Sequence, residues 1–139
     1  MRIELATAAA QVDAAAHLFD DPPIASAVER FVADPNHHLL LAYAGEGPVG
    51  FVSGVEMTHP DKGTEMFLYE LAVDEDYRRR GVGSALFEAL ADLARTKGCY
   101  DVWVLTEEDN EAAVATYRRA GGLAPTNHVM IEFPLEDAR

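Results

Sequence analysis

Cysteine is nearly absent from this chain of 139 residues: Cys99 stands alone, so no internal disulfide can form and no cysteine-rich zinc site can be built. Between Gly98 and Tyr100, it reads as a buried thiol near the start of a strand, not as a nucleophile. Long apolar runs are also missing. None approaches the roughly 20 residues of a membrane span, and Met1-Arg2-Ile3-Glu4-Leu5 lacks the apolar stretch and small-residue cleavage site of a signal peptide. The expectation is a soluble, cytoplasmic protein with no membrane partner. Basic residues are scarce, 11 Lys and Arg against 24 Asp and Glu, for a formal charge of −13. Nucleic acid rewards a basic surface and is not expected as a partner, whereas a cationic ligand would be attracted. Solubility or adaptation to salt would explain the same acidity. Repeats, linkers and low-complexity tracts are lacking, and the length suits one domain over residues 1–139 with its own core.

What is present is a regular alternation of strand and helix patterns. Residues 1–5 read as a short strand, with Ile3 and Leu5 on one side. Thr7 is placed to cap a helix from Ala8 to Phe19, and a second helix starts near Pro23 and stops before Pro35. Three strands follow, His37 to Tyr43, Val49 to Met57 and Thr64 to Val73, with a Gly-rich turn at 45–48 and a polar loop at 58–63. A helix carries Val82, Ala85, Leu86, Ala89, Leu90 and Leu93 at helical spacing and closes at Lys97-Gly98. Tyr100 to Leu105 is the next strand, and Asn110 caps a last helix to about Ala120. Residues 123–134 are expected to form two short strands around Pro125-Thr126-Asn127, with the last five residues frayed.

Chemistry concentrates between Phe67 and Ala85. Phe67-Leu68-Tyr69-Glu70-Leu71-Ala72-Val73 is a strand with apolar groups on both faces: strict alternation puts Met66, Leu68 and Ala72 on one, and Phe67, Tyr69, Leu71 and Val73 on the other. Glu70 interrupts the first set. A carboxylate there is costly unless paired, hydrated or used, so it is either a site residue or the partner of a cation at the sheet edge. The strand runs into Arg78-Arg79-Arg80-Gly81-Val82-Gly83-Ser84 at the mouth of the following helix. Glycine lets a ligand approach the backbone there, and the first helical N–H groups lack partners within the helix. With three arginines added, the loop can hold an anion; alternatively the arginines balance Asp74, Glu75 and Asp76. Tyr117, one turn after Val114, is either a core residue with its hydroxyl at the rim or a residue facing a ligand crevice. His37 and His38 would point to opposite faces of a strand, so the two cannot chelate one ion, and no metal is expected.

Arg-x-x-Gly-x-Gly after a Leu-Ala-Val strand end, together with Asn110 and Tyr117-Arg118-Arg119-Ala120-Gly121, resembles the GNAT superfamily of N-acetyltransferases over nearly the whole chain. Within it, the segments around Glu70 and Tyr117 look most like the aminoglycoside (gentamicin) 3-N-acetyltransferases. The resemblance implies an α/β (α+β) GNAT fold, a mixed, mostly antiparallel twisted sheet of six to seven strands with four helices. It implies acetyl-CoA as co-substrate. The main chain at Leu71, Ala72 and Val73 would hold pantetheine, which Asn110 would touch. Arg78, Arg79, Arg80, Gly81, Val82, Gly83 and Ser84 would hold the pyrophosphate. Glu70 would accept a proton from the amine, directly or through water, and Tyr117 would protonate the departing thiolate. Those enzymes more often carry aspartate before Leu-Ala-Val, and Glu70 lengthens that carboxylate by one methylene. The implied acceptor is a polycationic amine, an aminoglycoside at its 3-amino group, with Asp20, Asp21, Glu107, Glu108 and Asp109 as substrate carboxylates. A polyamine or protein N-terminus as acceptor, or a non-catalytic acyl-CoA sensor, is the alternative. A homodimer is expected by the same resemblance.

Overall fold

The computed structural model describes residues 1–135. Five strands lie side by side in chain order: β1 (Arg2–Leu5), β2 (His37–Ala44), β3 (Gly47–His59), β4 (Gly63–Val73) and β5 (Val102–Val104). Connection length sets their directions. A two-residue turn with Gly45 at φ +77° joins β2 to β3, and a short turn joins β3 to β4, so these pairs are antiparallel. From β4 to β5 the chain crosses over through a helix, and the pair is parallel. The helices are α1 (Ala9–Ala14), α2 (Ala25–Ala33), α3 (Val82–Thr96) and α4 (Glu111–Arg119).

Two apolar layers sandwich the sheet. On one face Leu40, Ala42, Val52, Met66 and Leu68 meet the stripe Val82, Leu86, Leu90 and Ala94 of α3. On the other, Leu39, Leu41 and Phe51 meet Val12 and Ala15 near α1 and Val28 of α2. Alternation along β2 thus feeds both layers, the pattern of a strand covered on both sides. Gly54 gives α3 its close seat, since a Cβ there would lie 2.9 Å from Leu90 Cδ1 and from Met66 Sδ. His37 and His38 do take opposite faces. His37 pairs with Asp34 at 3.1 Å, while His38 is buried against Glu56 at 2.6 Å. Cys99 packs beside the α3 layer, and burial raises its thiol pKa. No helix among the described residues is long and apolar enough to cross a membrane.

The structure corrects several expectations. The sheet has five strands among the described residues, not six to seven: residues 123–135 form no strand and are exposed throughout. Of the five terminal residues expected to fray, Leu135 is exposed and 136–139 lie outside the described residues. α1 ends at Ala14, and a tight 3-10 turn over Ala16–Leu18 takes the rest of the predicted helix. Thr7 does not cap α1 with its hydroxyl. Instead Gln11 Oε1 reaches back to accept from the amides of Thr7 (2.7 Å) and Ala8 (3.0 Å), the glutamine half of a capping box. β3 is longer than expected, because the loop to β4 tightens to a turn around Pro60–Lys62.

One departure bears on function. Along β4 the register runs from Leu68 opposite Gly54 to Glu70 opposite Ser53, so Tyr69 is an extra residue, a β-bulge. Strict alternation fails at that point. Leu71 and Val73 join Met66 and Leu68 on the α3 side, while Ala72 packs with the α1–α2 layer. Glu70 is carried to the α1–α2 side as well, and Tyr69 is left 71% exposed.

Candidate active site

The sheet opens where β4 passes β5. The two strands pair only from Met66↔Val102 to Leu68↔Val104, directly below the bulge. Beyond it, the edge of Tyr69–Val73 that faces away from β3 has no strand partner among the described residues. Backbone groups of Leu71, Ala72 and Val73 therefore border a crevice, the condition for an extended ligand to bond to them as an added strand. Asp74 fixes the end of β4: its amide donates to Val49 O at 2.7 Å, and its carboxylate accepts from Asp76 N at 3.0 Å, starting a 3-10 turn over Glu75–Tyr77.

The arginine loop follows. Arg79 sits at φ +62° and Gly81 at φ +81°, two left-handed residues within three positions. A non-glycine residue in that region carries strain on the order of 1 kcal/mol, and such backbones form anion-binding concavities. The first intrahelical bond of α3 is Ala85 N to Gly81 O at 3.0 Å, so the amides of Val82, Gly83 and Ser84 have no carbonyl within the helix. Arg78, Arg79 and Arg80 form no ion pair with Asp74, Glu75 or Asp76. Arg78 Nε donates to Val73 O at 3.1 Å, tying loop to strand, and the Arg80 guanidinium lies 5.3 Å from the centre of the Tyr77 ring.

Helix α4 forms the opposite wall. A Cβ on Gly83 would meet Leu71, Val73 and Thr116 side chains at 3.6, 3.8 and 3.9 Å, so strand end, loop and α4 converge on one point. Asn110 caps α4, with Oδ1 accepting from Ala113 N at 3.2 Å. Tyr117 packs edge-on against Phe87 of α3, ring centres 6.2 Å apart, and burial raises its hydroxyl pKa. The tyrosine is thus a packing residue whose hydroxyl stays protonated at neutral pH.

Glu70 pairs with no cation among the described residues. It borders a cavity of about 220 Å³ between α1–α2 and the sheet, walled by Val12, Phe19, Val28, Phe31, Leu39 and Phe51, with Asp21 and Ser53 also on its lining. Partial burial pushes the Glu70 carboxyl above the usual carboxylate range, and the neighbouring Asp20 carboxylate pushes further in the same direction. Asp20 is held there by the connection it sits in. His17 Nε2 bonds Pro48 O at 3.0 Å, and Phe19 stands edge-on to Phe51 at 4.9 Å. Glu107, Glu108 and Asp109 line an open depression of their own, and none of them borders the Glu70 cavity. The sequence did not single out Thr116 or Ser53; only the register of β3 on β4 and the approach of α4 reveal them.

The loop's geometry makes a testable demand. In Gly81→Val a β-branched residue would have to adopt φ +81°, costing roughly 1–2 kcal/mol. Coenzyme A affinity, measured by calorimetry, is expected to weaken about tenfold or more as the nest relaxes. Gly83→Ala is the control, because its Cβ makes only ordinary contacts. Wild-type affinity in Gly81→Val would reject the loop as the anion site.

A sheet split between parallel strands, with a helix N-terminus and an arginine loop at the mouth of the split, suits a ligand that has an extended arm and an anionic group. The chain belongs to the acetyltransferase (GNAT) family, whose sequence profile matches residues 4–122. Enzymes of this family take the acetyl group from acetyl-CoA. Among curated relatives, the N-alpha-acetyltransferase RimI of Mycobacterium tuberculosis is 32% identical over 112 residues, 81% of this chain and 68% of that protein. The ribosomal protein bS18-alanine N-acetyltransferase of Salmonella typhimurium is 40% identical over 57 residues, 41% of this chain and only 38% of its own length. In three dimensions the chain is similar to an aminoglycoside acetyltransferase from an uncultured soil metagenomic sample, solved with trehalose. That match has TM-score 0.88 at 20% identity and covers 97% of this chain and 96% of that one.

Proposed function

We propose that this domain transfers acetyl from acetyl-CoA to a primary amine presented between Glu70 and Tyr117, and that the acceptor is the α-amino group of a peptide or protein. The observation that carries the acceptor class is the cavity beside Glu70. Its walls are almost wholly apolar, with carboxylates only at Glu70 and Asp21, which suits an ammonium group next to an apolar side chain. The 32% identity with an N-alpha-acetyltransferase supports the same reading.

Acetyl-CoA supplies a thioester carbonyl. Amides of Val82, Gly83 and Ser84 with the loop of Arg78, Arg79, Arg80 and Gly81 would hold its pyrophosphate, and the free edge of Leu71, Ala72 and Val73 its pantetheine arm, alongside Asn110. Glu70 takes the proton that the ammonium must lose before it can attack, and its raised pKa makes it a stronger base than an ordinary carboxylate. Tyr117 returns a proton to the leaving sulfur. One domain and no metal suffice for this chemistry, and a homodimer belongs to the same reading.

A second acceptor is favoured by a separate observation. Asp20, Asp21, Glu107, Glu108 and Asp109 are all exposed, and a polycation such as an aminoglycoside, acetylated at its 3-amino group, would bind such carboxylates. Labelled acetyl-CoA with a panel of N-terminal peptides, aminoglycosides and polyamines decides between the two. Transfer to peptides with an apolar first residue is expected. Transfer to aminoglycosides alone would overturn that choice, and coenzyme binding without turnover of any amine would make the domain a sensor.

Asp20 supplies a finer test. Removing its charge in Asp20→Asn lowers the Glu70 pKa, so the acid limb of the kcat/KM profile is expected to move to lower pH while the plateau at high pH persists. An acid limb that stays in place would separate Asp20 from the base.

A further inference from the structure

α1 and α2 cover only part of their face of the sheet. Their apolar layer takes in Leu39, Leu41 and Phe51 and reaches β4 at Ala72. Towards the β3–β4 turn, Val55, Phe67 and Trp103 belong to neither apolar layer. Their orientation follows from their neighbours. Met66, Leu68, Val102 and Val104 pack towards α3, and Gly54 lies under Leu90, so alternation turns Val55, Phe67 and Trp103 the other way. Phe67 and Trp103 stack with ring centres 4.3 Å apart, and Tyr69, the extra residue of the bulge, stands edge-on to Phe67 at 6.0 Å. Three aromatic rings thus form a strip that neither helical layer takes in.

The strip begins where the Glu70 cavity ends. Ser53 and Glu70 are register partners on the cavity lining, and the next pair along the same face is Val55 and Phe67. At its far end the strip turns acidic. Two residues before Phe67 and Trp103 on their strands come Glu65 and Asp101. They lie close together: desolvation, and then the Glu65 carboxylate, push the Asp101 carboxyl above the usual carboxylate range. Neither pairs with a cation among the described residues.

We infer that the strip of Tyr69, Phe67 and Trp103 binds an extended, basic stretch of the acceptor polypeptide, and so selects acceptors by the residues that follow the acetylated one. The inference rests on the peptide reading of the Glu70 cavity and names the kind of peptide. Dimensions support it. With the first residue at Glu70 and the chain running along β4 at roughly 3.3 Å per residue, about the third or fourth residue crosses Phe67 and Trp103 and about the fifth reaches Glu65 and Asp101. Ring faces hold peptide groups and aliphatic stems without demanding one side chain, and an ammonium or guanidinium above them gains cation–π attraction. A basic side chain that reaches the far end would relieve the repulsion between Glu65 and Asp101 through charge-assisted hydrogen bonds. The formal charge of −13 draws a partner of the same sign.

Three acceptors that share a first residue test it with labelled acetyl-CoA: leucinamide, a heptapeptide that begins with leucine and carries lysine at positions three to five, and the same heptapeptide with glutamate there. The lysine peptide is expected to exceed leucinamide about tenfold and the glutamate peptide about 30-fold in kcat/KM, almost wholly through KM. In the double variant Tyr69→Ala/Glu65→Gln the gap between the two heptapeptides should shrink to a few-fold while turnover of leucinamide holds. Trp103 is the sole tryptophan, so its fluorescence should change saturably as the lysine peptide is added to the wild-type protein with coenzyme A. Equal efficiency for the two heptapeptides, a preference that the double variant keeps, or an emission that the lysine peptide leaves unchanged overturns the strip and leaves the peptide reading standing. Transfer to none of the three overturns both.

Discussion

Glu70→Gln is expected to lower kcat by about 10³-fold while leaving coenzyme A affinity within a few-fold of wild type. Glutamine keeps the size and polarity of the side chain at the cavity but cannot accept a proton. The proposed coenzyme site lies along the free edge of β4 and at the mouth of α3, away from the Glu70 cavity, so it should not register the change. Stability should move the opposite way. A carboxyl whose folded pKa is raised adds stability below its unfolded value and forfeits it as pH rises through the folded value. At neutral pH an ionised Glu70 beside Asp20 therefore weakens the fold. Glu70→Gln should melt at a higher temperature than wild type at pH 8, with the gap closing near pH 4, about the ordinary carboxylate value. A slow variant with no pH-dependent gain would mean that the side chain acts by hydrogen bonding and not as a tuned base.

Tyr117→Phe is expected to cost about 100-fold in kcat. The ring keeps its edge-on contact with Phe87, and the hydroxyl has no hydrogen-bond partner among the described residues, so packing loses nothing. Thermal stability should stay within about 0.5 kcal/mol of wild type, and coenzyme affinity should hold. Because burial keeps the hydroxyl protonated, the donor is present throughout the neutral range. If the variant turns over at the wild-type rate, Tyr117 is a core residue only and another group must protonate the sulfur.

Much of this site was legible in the residues themselves. Val82, Leu86, Leu90 and Ala94 repeat at helical spacing, so α3 and the arginine loop at its mouth could be placed from the pattern. Asn110 announced its helix by the same logic. What failed was whatever depended on counting across strands. Alternation assigned Ala72 to the face of Met66 and Leu68, and the extra residue at Tyr69 reversed that assignment, because a bulge depends on pairing with β3 that no local pattern encodes. The neighbour of Glu70 was equally hidden. Sequence offered a cation at the sheet edge, whereas folding delivered Asp20, about fifty positions earlier in the chain, through the anchoring of His17 and Phe19. The last strands were read from alternation over Val129 to Leu135, but alternation alone supplies no pairing partner, and those residues form no strand.

The bulge at Tyr69 also makes catalysis sensitive to length as well as to chemistry. Excising that one residue would make Leu68 and Glu70 neighbours, hence still on opposite faces, but would remove the extra bend and twist that the bulge gives the strand where β4 and β5 part. The protein would keep every reactive group named above on its present face and lose the local splay beside Leu71, Ala72 and Val73, a lesion that a residue-by-residue alignment would score as trivial.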